Sequence, residues 1–194
     1  MSITIDPGGA PALEAPLTTL ASKTANASLV SQVRPNNTTA YTAGDVVGGA
    51  IGGAGSVAGS AIIPFTFPNL STAFANGGEF LLTSVEMDRQ VAAVVSGETT
   101  YSLYLFSAPP VTKLLDNDPF AMAIAGDLPL FLDVITGITL VVPTGSAFIY
   151  GRIDGINHQY TLKSNVIYGY LMTVGGYTPV ANTVLDIKIH GIAL

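Results

Sequence analysis

The chain reads as an all-β protein, a jelly-roll-like sandwich of two antiparallel sheets with an extended N-terminal arm. Three observations predict this. Short β-prone runs alternate with Gly, Pro, Asn and Asp turn residues from Ala27 onward. The clearest runs place apolar residues at every second position, the period of a half-buried strand. No long amphipathic helical pattern occurs. About nine or ten short strands result, and a jelly roll has eight strands in two sheets.

Residues 1–26 form the arm. Pro7, Pro11 and Pro16 interrupt regular structure, Gly8-Gly9 adds slack, and the apolar residues are aperiodic. Such an arm is either disordered or laid along another surface, which orders it on binding. Residues 27–194 form the β-sandwich domain. Ala27 to Val33 is its first strand, ended by Arg34-Pro35-Asn36-Asn37. Thr39 to Tyr41 is short and β-prone, and about 45–60 is a Gly/Ala-rich loop. Ala61 to Phe67 resumes as a strand, and Pro64 places it at a sheet edge. Asn76-Gly77-Gly78 is a turn. Glu79 to Met87 alternates at Phe80, Leu82 and Val85, with one slip that suits a bulge.

Thr99 to Phe106 is the cleanest strand, with Tyr101, Leu103 and Leu105 on one face, and Pro109-Pro110 closes it. Asp116 to Ala125 reads as a single short helix, capped by Asn117 or Asp118, with Pro119 in its first turn and Gly126 as its stop. Leu128 to Val134, Thr139 to Val142, and Ala147 to Arg152 follow as strands. Asp154-Gly155 is a hairpin turn signal. His158 to Leu162 and Asn165 to Val174 come next, and Gly175-Gly176 is a turn. Thr183 to Leu194 alternates strictly, with Leu185, Ile187 and Ile189 on one face.

Charge is scarce. The chain has 7 Lys+Arg and 13 Asp+Glu among 194 residues, and charged residues make up 10%. An ordinary soluble domain carries about 25%. Much of the surface is therefore expected to be shared with other subunits or with lipid. Lipid is the weaker expectation. The longest uncharged stretch, Val46 to Gly78, is broken by glycines and by Pro64 and Pro68, and its best window is mostly Gly, Ala and Ser. No basic-then-apolar leader opens the chain. Nucleic acid is disfavoured too. The net charge is −6, and the seven cations lie far apart in sequence. The absence of cysteine rules out disulfides and thiolate metal sites.

No catalytic, cofactor-binding or metal constellation emerges. His158 and His190 are the two histidines, and no Gly-x-Ser-x-Gly elbow accompanies them. Gly53 to Gly59 departs by one residue from a dinucleotide fingerprint and precedes no helix. Asp116-Asn117-Asp118 lacks the later glycine and glutamate of a calcium loop, and helix capping accounts for it. Paired carboxylates for glycoside cleavage must face each other across a cleft; Glu79, Glu86, Asp88 and Glu98 flank strands, and sequence alone does not place them. Tyr101, Tyr104, Tyr168, Tyr170 and Tyr177 read as core or interface aromatics. The expectation is a non-enzyme.

One segment has a wider echo. Arg34-Pro35-Asn36-Asn37-Thr38-Thr39-Ala40-Tyr41-Thr42-Ala43-Gly44-Asp45-Val46-Val47-Gly48 resembles a stretch found in a family of small structural proteins of tailed bacteriophages. Leu103 to Phe106, then Pro109-Pro110, then Asp116-Asn117-Asp118-Pro119-Phe120, follow in that family's order. The family motif here comprises Arg34, Pro35, Thr38, Thr39, Tyr41, Gly44, Asp45, Gly48, Asp116, Asn117 and Phe120. The resemblance implies a virion protein, a head decoration or cement protein that forms a homotrimer on the major capsid protein. It implies no catalytic residue and no cofactor. A tail, baseplate or fibre-associated protein is the alternative within the virion, and a receptor- or glycan-binding β-sandwich is the alternative from another class.

Overall fold

Alternation sets the architecture. Asn26, Ser28, Val30 and Gln32 point inward from the first strand, and their odd-numbered neighbours point out. The structure is a computed structural model and describes residues 25–36, 38–49, 61–67 and 78–194. Its strands are β1 (Ala25–Val33), β2 (Val46–Val47), β3 (Ile63–Thr66), β4 (Glu79–Arg89), β5 (Thr100–Phe106), β6 (Phe131–Thr139), β7 (Ile149–Thr161), β8 (Val166–Thr173) and β9 (Val184–Ala193).

Two antiparallel sheets form. One has the order β1-β9-β4-β7. The other has the order β2-β8-β5-β6, with β3 also paired to β8. The pairing is nested: β1 with β9, β2 and β3 with β8, β4 with β7, and β5 with β6. This is the jelly-roll arrangement, with one of the eight strands broken into β2 and β3. The inner faces meet in one core. Phe80, Leu82, Val85, Met87, Ile187 and Ile189 come from the first sheet, and Phe65, Leu103, Leu105, Ile167 and Leu171 from the second. Burying each such side chain stabilises the fold by roughly 1.5–3 kcal/mol.

A further layer covers the second sheet. The connection from β5 to β6 folds over its outer face, where Leu114 packs with Val46, Ala61, Ile62, Phe106 and Tyr170. Phe120 lies against Tyr104 with ring centroids 4.0 Å apart. Asp127 fixes the connection's shape, since its carboxylate accepts the N–H groups of Val111, Thr112 and Ala123. Burial alone would raise this carboxyl, but hydrogen bonds from Thr112, Ala123 and Val111 hold it below the usual range.

Several expectations meet the structure directly. The slip in β4 is a register shift between Leu82 and Ser84. Pro64 sits on an edge strand. The alternation in β9 buries Leu185, Ile187 and Ile189. β1 starts at Ala25, two residues before the expected start of the first strand at Ala27. The remainder of the arm, the Gly/Ala tract over 50–60 and the Asn76-Gly77 turn lie outside the described residues.

Two readings are corrected. Asp116 to Ala125 is not a helix. Asn117 has φ +70°, a left-handed value that no α-helix accepts, and Pro119 bridges to Asp45 instead. The carboxylate expected near the cap is engaged elsewhere in the fold, by residues far away in sequence. Asp154-Gly155 is also not a hairpin, because β7 runs through it. Gly155 and Asn157 take φ +70° and +53°, and residues 155–157 bulge out opposite the slip in β4. The left-handed residues serve that bulge instead of a turn.

Candidate functional site

Four connections gather at one end of the sandwich: 34–45, 90–99, 140–148 and 174–183. The register places them together. Val33 faces Val184, Arg89 faces Ile149, Thr100 faces Thr139, and Tyr101 faces Thr173. Bonds between the loops tie them. Arg34 N–H donates to Thr183 O, Tyr41 N–H to Tyr177 O, and Gln90 N–H to Val184 O.

The two halves of the sequence motif meet here. Asp116 reaches back to the first half, where its carboxylate accepts from Arg34 Nη2 at 2.9 Å, from the Tyr41 hydroxyl and from Gly48 N–H at 2.9 Å. The Arg34 guanidinium lies over the Tyr41 ring, 4.7 Å from its centroid. Gly44, at φ +92°, turns the chain, and Asp45 closes that turn by accepting Thr42 N–H at 2.6 Å. Phe120 N–H donates to Gly44 O, and Asn117 N–H to Val46 O. Gly48 allows a close approach, because a Cβ there would stand 2.5 Å from that of Ala61. Pro35 is half-buried, whereas Thr38 and Thr39 are exposed. The cluster thus gathers Arg34, Tyr41, Gly44, Asp45, Gly48, Asp116, Asn117 and Phe120.

A second buried network lies beside it. Arg89 Nη2 bonds Glu98 Oε2 at 2.5 Å, and both side chains are almost fully buried. The Tyr101 hydroxyl bonds the other Glu98 oxygen and lies 2.8 Å from the Tyr177 hydroxyl. Burial, then the neighbouring Tyr177 and Glu98, push the Tyr101 phenol well above its ordinary value. Sequence reasoning missed Arg89 and Glu98 as partners. The available clue was phase, since Val85, Met87 and Arg89 all occupy inward positions of β4.

Both networks have one consequence for the surface. The charged residues within the four loops are Arg34, Asp45 and Glu98, and all three are buried. What the loops expose is apolar or uncharged, including Val141, Val142, Phe148, Val174 and Val180, each more than 40% exposed. Charges of the sandwich lie on other faces. On the outer face of the first sheet, Glu86 contacts Arg152 and Lys188. At the β6–β7 side, Asp133 accepts from the Tyr160 hydroxyl at 2.8 Å and contacts His158.

Among the described residues, no three His, Cys, Asp or Glu side chains converge as a metal site, and no helix is long and apolar enough to cross a membrane. No protein-family model matches the chain, and no curated protein matches it.

Proposed function

We propose that this is a virion structural protein, a capsid decoration or cement protein. It would work by covering and bridging, with no catalysis and no cofactor. The observation that carries this reading is the charge-free loop end. The exposed valines and Phe148 are backed by two ion pairs, and the four loops that carry them expose no charged side chain that would need desolvation. Copies of the chain can meet there without bringing like charges together, despite the net charge of −6. The motif that resembles a stretch of phage structural proteins lies at the same end, where its bonds tie the 34–48 segment to Asp116. By that analogy the oligomer is a homotrimer, placed on the outside of the major capsid protein shell. The N-terminal arm would supply attachment to the shell.

The test is assembly. The chain should purify as an oligomer and bind expanded, empty shells of a major capsid protein encoded beside it. Val142→Lys combined with Val180→Lys should break the trimer at the loop end while leaving the circular-dichroism spectrum unchanged. Removing residues 1–24, which stops short of β1, should spare folding and abolish shell binding. A monomer that ignores such shells would overturn the proposal. Direct binding to host glycans would favour the receptor-binding reading in its place.

A further inference from the structure

Among the described residues, β1 is an edge strand with none of the usual protection. Natural sheets blunt their edges with charge, proline, bulges or brevity. The other edges here do so. β7 carries Arg152, Asp154 and His158 and the bulge at 155–157. β6 carries Asp133 and two interruptions of register. β3 is four residues long and contains Pro64, and β2 is two residues long. In contrast, β1 runs nine residues, Ala-Asn-Ala-Ser-Leu-Val-Ser-Gln-Val, with no charge and no proline. Its pairing with β9 is unbroken over all nine.

Backbone geometry shows what that edge offers. Arg34 N–H donates to Thr183 O, in line with the β1–β9 register. Hydrogen-bonded pairs alternate along an antiparallel ladder, so the even-numbered residues of β1 bond to β9. The N–H and C=O groups of Ala25, Ala27, Leu29, Ser31 and Val33 therefore face the free edge. Among the described residues, no strand pairs with them. The same residues carry their side chains on the outer face, where Leu29 is 59% and Val33 43% exposed.

We propose that β1 of one copy pairs with β1 of a second copy, antiparallel and about a two-fold axis at Leu29. This register sets Leu29 against Leu29, Ala27 against Ser31 and Ala25 against Val33. Each pair consists of residues whose backbone groups face the free edge, so every pair can form both ladder bonds. No charged residue lies on either strand. The outward charge nearest Leu29 on β9 is Lys188. In the paired sheet the two copies of Lys188 stand three strand spacings apart, about 14 Å, beyond the screening length at physiological salt. A second copy therefore fits this edge in both hydrogen bonding and charge. A two-fold contact cannot close a three-fold ring, so it would join one oligomer to the next. It does not rest on the virion reading.

The experiment separates this contact from the loop end. In the Val142→Lys, Val180→Lys background, sedimentation equilibrium at tens of micromolar should still show a dimer. Adding Leu29→Lys puts two like charges directly opposite at an exposed position and should weaken the dimer by roughly tenfold or more. Amide exchange should slow at Ala27, Leu29 and Ser31 as concentration rises. A monomer in the loop-end background would overturn the proposal. So would a dimer indifferent to Leu29→Lys, or odd-numbered amides protected equally at every concentration, which would mean that the chain covers its own edge.

Discussion

The ring of Tyr177 lies 5.1 Å from the ring of Tyr41, and this contact joins two buried ion pairs. Tyr41 belongs to the pair Arg34–Asp116 through its hydroxyl. Tyr177 belongs to the pair Arg89–Glu98 through Tyr101 and through the Arg89 guanidinium over its ring. An isolated bridge between Tyr41 and Tyr177 brings the backbones together as well. The loops of the charge-free end thus rest on one continuous buried polar layer. Burying four charges costs solvation, and what offsets the cost is that each carboxylate accepts several bonds at once.

Removing one partner should therefore cost more than removing both. Glu98→Gln leaves Arg89 buried without its counter-charge, and destabilisation of about 3–5 kcal/mol is expected. Arg89→Met with Glu98→Leu should cost clearly less than the sum of the single changes. Urea unfolding of the wild type, both single variants and the double variant closes the cycle. Additive effects would show that the pair is not coupled.

Asp116 should be the most sensitive residue of the motif. Asp116→Ala strands Arg34 and frees the Tyr41 hydroxyl and Gly48 N–H together, so a loss of about 3 kcal/mol or more is expected. Thr38→Ala, at an exposed motif position, should change stability by less than about 0.5 kcal/mol. Thermal unfolding of the two variants checks the contrast.

Alkali should unfold the protein through its tyrosines. Burial first, and Asp116 second, push the Tyr41 phenol far above its ordinary value, and burial followed by Asp133 does the same to Tyr160. The folded chain then keeps protons that the unfolded chain releases at about pH 10. Fewer protons are bound in the unfolded state, so stability falls as pH rises from about 10. Tyr160→Phe should flatten that fall. Urea midpoints between neutral pH and about pH 11 would show it, and equal slopes for the two proteins would refute the assignment.

Much of this fold was legible because burial and period coincide. β9 alternates without a break, and β4 alternates with one slip that became its bulge. Asp154-Gly155 misled because a left-handed glycine serves a bulge as well as a hairpin, and only the facing strand decides which. Asp116-Asn117-Asp118-Pro119 carries every local mark of a helix start. Its first carboxylate instead bonds Arg34, 82 residues away, and no local pattern encodes that distance. The ion pair Arg89–Glu98 was half legible. The inward phase of Arg89 announced a buried cation, but Glu98 lies across a loop whose path the sequence does not reveal.

The outer face of the first sheet holds one unfavourable pair. Asp88 stands directly opposite Asp186 across β4 and β9. Asp186 Oδ1 is buried and has no hydrogen-bond partner among the described residues. Burial, then Asp186, then Glu86 raise the Asp88 carboxyl above its ordinary value. The folded state therefore holds this proton to higher pH than the unfolded state does. The contribution of Asp88 to stability is full below about pH 4, and it is lost as pH rises through the folded value. Asp133, whose carboxyl is lowered, contributes in the opposite sense, with stability lost as pH falls. Asp186→Asn removes the facing charge. At neutral pH it should stabilise the protein by about 0.2–1 kcal/mol, the range for a cross-strand charge pair. The gain should shrink toward zero as both proteins are taken below about pH 4, where Asp88 is protonated in either. Urea midpoints of the two proteins at neutral and acid pH measure the difference. A variant less stable than the wild type at neutral pH would mean that Asp186 makes a favourable contact outweighing the repulsion.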